Sequence, residues 1–236
     1  MLASLYTAGA GMEAAEALHR TTAHNLARGN QPGFRRLVSV ETALLDQPRP
    51  GPLSPRLAAL EQVDFSSGPF ETTGQPLDLA IDAPGFFVLE GPQGPLYTRC
   101  GVFQLNAEGI LINGDGLPVQ GEGGPLTIPG TALLSDLQVT SDGSLQLGNN
   151  KIGKLQVVTF EDVSRLRPVG GATFAAPADM PAQQTEGAVL QGVREQSNVQ
   201  QVQELVSLIT ASRRYEAAQK ALRTIDEATK KRIELN

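Results

Sequence analysis

Apolar residues in this chain recur at three- and four-residue steps near both ends and in short runs between them. Leu5, Ala8, Met12, Ala15, Leu18 and Thr22 follow the first spacing, which predicts a helix over residues 2–28. Its face is built of small side chains, suited to close contact with another helix. Gly29 and then Pro32-Gly33 supply the stop. Val202, Leu205, Leu208, Ala211, Tyr215, Ala218, Leu222 and Ile225 repeat the spacing, and no Gly or Pro occurs from Val199 to Asn236. A single helix over 198–235 follows, roughly 55 Å long at 1.5 Å per residue. Ser197 with Gln200 three residues on predicts a capping box. Glu216–Lys220, Asp226–Lys230 and Glu227–Lys231 stand as i,i+4 pairs in the favourable order.

Between residues 64 and 192 the pattern changes. Short apolar runs recur at Leu79–Ile81, Phe86–Leu89, Val102–Leu105, Ile110–Ile112, Leu137–Val139, Leu145–Leu147 and Leu155–Val158. Glu108-Gly109, Asn113-Gly114, Asp115-Gly116 and Asp142-Gly143 fall among them, and such pairs favour tight hairpins because Gly and Asn tolerate positive φ. No helix-length periodic segment separates the runs, so the strands are expected to be antiparallel. Pro48, Pro50, Pro52 and Pro55 crowd the segment 35–63, which reads as a linker. The expected fold class is therefore α+β: a central antiparallel all-β domain flanked by N- and C-terminal helices. The boundaries are 1–34 for the first helical part, 35–63 for the linker, 64–192 for the β domain and 193–236 for the long helix. A lone amphipathic helix cannot bury its stripe. The two ends are expected to pair as a coiled-coil-like assembly domain, and then with neighbouring copies.

Composition narrows the function. The 236 residues include 25 glycines and 16 prolines, and all but Gly9 and Gly11 of these lie between residues 29 and 192. A net charge of -6 argues against a nucleic-acid partner. The run Lys230-Lys231-Arg232 beside Glu227 and Glu234 reads as a solvated helix face. Aromatic residues make up 5%, with no Trp, leaving little for a stacking platform. One cysteine excludes an internal disulfide. The start, Met-Leu-Ala-Ser-Leu-Tyr, lacks the basic and apolar regions of a cleaved secretory signal, and no stretch reaches the roughly 20 apolar residues of a membrane span. Export without a cleaved signal, or residence in the cytosol, is expected.

Each candidate for chemistry fails on spacing or context. His19 and His24 stand five apart, whereas helical metal pairs stand three or four apart, and no third ligand is near. Arg99 could lower the Cys100 thiol, but no base lies on the same element. Gly9-Ala-Gly11 resembles a dinucleotide loop without the strand that must precede it. Asp78 and Asp82 would lie roughly 13 Å apart along a strand, too far to act on one bond. Asp115 and Asp142 sit where turns require Asp. The expectation is a non-enzymatic protein with no cofactor and no metal.

Three sets of residues resemble a known family. The segment from His24 to Arg35 is similar to the N-terminal signature of flagellar axial proteins, matching at Asn25, Leu26, Ala27, Asn30, Gly33 and Phe34; His24 and Arg28 replace the usual asparagines. Ser197, Asn198, Val199, Leu205, Tyr215 and Glu216 resemble the C-terminal half of that signature. Pro76–Ile81, Gly85-Phe86-Phe87 and Tyr97-Thr98-Arg99 match between them. The resemblance is to the flagellar basal-body rod proteins, within the axial family of rod and hook. Pro32–Arg35, Gly121–Pro125 and Arg213–Glu216 resemble the proximal (FlgF) type, while Thr73-Gly74 and Gly85–Phe87 resemble the distal (FlgG) type. A hook subunit would need further β domains. The resemblance implies a structural rod subunit for motility, with the twelve matched residues above at its assembly interface. It also implies copies of itself and other rod subunits as partners, export through the flagellar type III apparatus and a place in the periplasmic basal body. A β-domain surface binding module is the alternative of another class.

Overall fold

A computed structural model describes residues 2–44, 56–129, 136–185 and 187–234. It is an α+β structure with a helix at each end and antiparallel β structure between them. Two compact units result: one comprises Met1–Gly29, Arg36–Asp64 and Val199–Asn236, the other Asn30–Arg35 and Phe65–Asn198.

The first unit contains α1 (Leu2–Arg28), β1 (Leu37–Leu44), β2 (Arg56–Val63) and α2 (Gln201–Glu234). Here the structure corrects the expected linker: β1 and β2 form an antiparallel ribbon, with Leu37 opposite Val63. The four prolines that suggested a linker all lie outside the described residues. α1 packs against both this ribbon and α2. Accordingly it buries Ala15, Ala17, Thr21, Thr22 and Asn25, a wider face than one stripe. A Cβ on Gly29 would come within 3.3 Å of the Val199 and Gln201 side chains, which sets the end of α1 beside the start of α2. The helices are therefore antiparallel.

α2 departs from expectation in its first turns. It begins at Gln201, and Val193–Glu195, expected within the helical part, is a strand. Ser197 is buried ahead of the helix, and the Glu204 N–H donates to the Gln200 carbonyl at 3.0 Å, an i→i−4 bond at the first turn. Ala211 is fully buried and Leu208, Ala218, Leu222 and Ile225 are half-buried, as the periodicity requires. Val202 and Leu205, however, are 75% and 46% exposed, because Glu204 occupies the inward position there. Its carboxylate is buried against the Arg36 guanidinium at 2.6 Å, a charge-assisted bond that makes burial tolerable. Among the three predicted helical pairs, Asp226–Lys230 closes at 2.8 Å and the other two do not.

In the second unit, β3 (Phe70–Thr72) pairs with Val193–Glu195 and β4 (Leu79–Ile81) with Val189–Gln191. A six-stranded sheet runs in the spatial order Arg167–Gly170, Thr173–Ala175, β6 (Gly94–Thr98), β5 (Phe86–Gly91), Val157–Thr159, Gln183–Gln184. Leu137–Val139, Ser144–Leu147 and Asn150–Lys154 form a separate three-stranded sheet. The core is Leu79, Ile81, Phe87, Leu89, Phe103, Leu111, Val119, Leu145 and Leu155, drawn from most of the predicted apolar runs. Side-chain oxygens of Asn106 and Asn113 each accept two backbone N–H groups within their own turns. Positive φ falls at Gly109, Gly116 and Gly143, but not at Gly114, so Asn113-Gly114 is not itself the turn centre.

Asp142 holds its turn through the Thr140 hydroxyl, the Ser144 hydroxyl and the Ser144 N–H, and these donors pull its carboxyl down to about 2. A depressed folded pKa contributes stability above the unfolded value of 3.8, and that contribution is lost as pH falls through about 2. An NMR titration should find Asp142 still ionised at pH 3, and Asp142→Asn should flatten the acid limb of a stability-versus-pH curve. A Cβ on Gly101 would lie 1.6 Å from the Leu79 carbonyl oxygen. Gly101→Ala should therefore destabilise the protein by more than about 1 kcal/mol in urea unfolding.

Candidate functional site

The best-defined polar construction in the second unit is a buried cluster of three charges. Glu195 stands at the end of a strand whose alternation turns Arg194 outward, where it pairs with Glu71 at 2.9 Å, and Glu195 inward. Glu195 Oε1 accepts from Arg35 Nη2 at 2.7 Å and from the Gly68 N–H at 3.0 Å. Its Oε2 lies 3.5 Å from Arg99 Nη1. Arg99 donates to the Ile81 and Ala83 carbonyls at 2.9 and 2.7 Å, and its guanidinium lies over the Phe86 ring at 5.5 Å. Burial pulls Arg99 down to about 10; Glu195 opposes that shift and Arg35 adds to it. Arg35 Nε and Nη1 make no hydrogen bond, so the cluster has not recovered its whole desolvation cost.

Glycine lets the backbone close around these charges. Gly33 has φ +68°, and a Cβ there would sit 2.3 Å from the Cys100 nitrogen. The Gly33 N–H donates to the Glu195 carbonyl at 2.8 Å. A Cβ on Gly68 would sit 2.0 Å from the Gln196 carbonyl oxygen. Phe34 is buried between Gly33 and Arg35. Residues 30–35 are thus threaded into the β unit, although their neighbours at 29 and 36 belong to the helical unit.

In the helical unit, Asn25 acts as a two-way clamp. Its amide nitrogen donates to the Leu37 carbonyl and its oxygen accepts the Leu37 N–H, both at 2.8 Å. Thr21 donates to Glu61 at 2.9 Å, tying α1 to β2. This arrangement has no reacting centre. Burial pushes the Cys100 thiol up, the reverse of nucleophile activation, and Arg99 is committed elsewhere. Among the described residues no group of His, Cys, Asp and Glu could hold a metal. No described helix is long and apolar enough to cross a membrane.

With the geometry in view, comparison with known proteins decides the family. Residues 80–147 match the model described as the flagellar hook protein FlgE/F/G D1 domain, and residues 190–235 match the flagellar basal body rod FlgEFG protein C-terminal region. The flagellar basal-body rod protein FlgF of Caulobacter vibrioides is 31% identical over 223 residues, 90% of this chain and 89% of that protein. The chain belongs to the flagellar basal-body rod protein family. It is a structural subunit of that family and not an enzyme. The rod protein FlgG of Agrobacterium fabrum is also 31% identical, over 256 residues, 95% of each chain. FlgF of Rhizobium meliloti is 30% identical over 242 residues, 99% of this chain and 98% of its own.

The twelve residues that suggested a rod protein divide by environment. Asn25, Gly33, Phe34, Ser197 and Val199 are buried within the chain. Asn198 donates to the Ser66 carbonyl at 3.0 Å, and Leu26 is half-buried. Ala27, Asn30, Leu205, Tyr215 and Glu216 are exposed. Most of the first group thus perform work inside one rod protein chain. The sequence reading missed Arg35, Arg99 and Glu195 as a set because Arg35 and Glu195 are 160 positions apart. The available signal was Val193-Arg194-Glu195, where strand alternation must turn one charged side chain inward.

Glu195→Gln leaves two guanidinium groups without a counter-charge and should cost about 3–5 kcal/mol in chemical denaturation. Asn25→Ala removes both bonds to Leu37 and should cost about 1–3 kcal/mol, with hydrogen exchange at the Leu37 amide accelerated by at least as much.

Proposed function

We propose that this rod protein builds the proximal segment of the flagellar drive shaft, docking through its helical unit on copies of itself and on other axial subunits. The observation that carries this reading is the outward face of α2. Val202, Leu205, Val206 and Ile209 stand at i, i+3, i+4 and i+7, and are 75%, 46%, 60% and 55% exposed. A helix with one stripe on its partner and a second apolar stripe in solvent is built for another neighbour. In the assembled rod, α1 and α2 pair in a coiled-coil-like manner and the second stripe is covered by the adjoining subunit. Ala27, Asn30, Tyr215 and Glu216 are exposed within the same matched segments, which supports their use between subunits.

The subunit leaves the cytoplasm through the flagellar type III export apparatus without a cleaved signal and takes its place in the periplasmic rod. Its helical ends order as they dock, because part of their apolar surface finds a partner only there. It needs no cofactor, nucleic acid or membrane insertion.

The proximal type is supported by alignment length. FlgF of Rhizobium meliloti needs 242 positions to cover 99% of this 236-residue chain, whereas the Agrobacterium fabrum FlgG needs 256 to cover 95%. The distal type keeps support from equal identity. Deleting the gene should abolish swimming and stall the flagellum before the hook; normal motility would remove the rod reading. Ile209→Asp, at an exposed position, should leave the folded chain and its thermal unfolding unchanged while preventing rod completion, seen as basal bodies without hooks by electron microscopy.

A further inference from the structure

In the β unit, among the described residues, two large apolar side chains are left exposed: Phe70 at 41% and Val169 at 60%. They belong to surfaces of opposite shape. Phe70 lies at a groove of about 430 Å³ whose walls include Phe65, Phe86, Ile81 and Pro84, with Ser67 and Asp82 also lining it. Phe65 and Phe86 meet edge to face at 5.9 Å, which makes one wall rigid. Val169 is a projection. The strand Arg167–Gly170 is the outer strand of the six-stranded sheet and is exposed throughout. Its register slips between Pro168 and Gly170, so Val169 is the unpaired residue of a β-bulge. A bulge re-aims a side chain, and Pro168 lacks the N–H that would invite another strand to pair. The edge displays one β-branched side chain.

Charge matches shape. Arg167, two residues before the projecting valine, and Asp82, at the groove, are both exposed, and neither forms an ion pair among the described residues. We propose that Val169 of one copy seats in the Phe65–Phe70–Phe86 groove of the next copy of this chain, with Arg167 meeting Asp82 across the contact. In this contact each copy gives Val169 to one neighbour and receives the Val169 of another, a heterologous arrangement that repeats from copy to copy. This deepens the rod reading and rests on it: the β unit supplies a lateral bond between like subunits, separate from the docking face on α2.

The test uses the full chain in flagellated cells, with the photo-crosslinking residue p-benzoylphenylalanine in place of Phe70. Irradiation should give a ladder of multiples of the 25.0 kDa chain, and mass spectrometry should place the adduct within residues 165–170 of a second copy. Val169→Asp should remove the ladder while leaving the thermal unfolding of the purified chain unchanged. Asp82→Arg and Arg167→Asp should each weaken it several-fold, and the two together in one chain should restore it. Adducts to another axial protein, adducts limited to a dimer, or failure of the charge exchange to restore the ladder would each overturn the contact. If basal bodies complete normally but carry no ladder, this contact fails and the rod reading stands. If the gene deletion leaves swimming intact, the rod reading fails first.

Discussion

Two consecutive arginines with two buried carboxylates constrain this structure more than any other feature. Arg35 pairs with Glu195 inside the β unit, and Arg36 pairs with Glu204 inside the helical unit. One dipeptide thus supplies an ion-pair partner to a buried carboxylate in each unit. Each pair draws together segments distant in the chain: 35 with 195, and 36 with 204. Each therefore fixes where the chain passes from one unit to the other. Such pairs add little net stability once desolvation is counted, but misplacing either partner leaves a bare charge in an apolar interior. They penalise wrong threading more than they reward right threading.

The rest of the β unit is built around that threading. Gly33, Gly68 and Gly101 each lie where a side chain would collide with another segment's backbone, at Cys100, Gln196 and Leu79 respectively. Close backbone approach at three places is possible only with glycine. It brings residues 30–35 against the β structure and allows the Gly33 N–H to reach the Glu195 carbonyl. The apolar core of Phe87, Leu89, Leu111 and their neighbours then seals the unit. On the helical side, Asn25 does comparable work with an uncharged amide, satisfying both polar groups of Leu37 at the start of β1.

A subunit of a polymer must be complete enough to fold and incomplete enough to join. Here the division is visible on a single helix. One side of α2 carries Leu208, Ala211, Leu222 and Ile225 against α1, while Val202, Leu205, Val206 and Ile209 remain in water. Burying a side chain of this kind contributes about 1.5–3 kcal/mol before ordering costs. Four of them are enough to tip an equilibrium. The family relationship and this unpaired face reach the same conclusion by independent routes, one from descent and one from surface chemistry.

What was legible in the sequence was whatever depends on near neighbours. Helical spacing from Leu5 to Thr22 and from Leu208 to Ile225, the turn residues at Glu108-Gly109 and Asp142-Gly143, and most of the seven apolar runs follow from local sterics and local hydrogen bonds. The signature residues Asn25, Gly33 and Phe34 could be recognised, but not their work within the chain. Tertiary structure decided the rest. It showed that the segment expected to be a linker holds a β ribbon, since the prolines mark only part of it. It showed that Glu204, not Val202 or Leu205, faces inward, since that choice depends on Arg36 lying 168 positions away. It assembled Arg35, Arg99 and Glu195 into one cluster. Periodicity states which residues share a face of an element; only the packed chain states what that face will meet, because a charge can be buried only where its distant partner arrives.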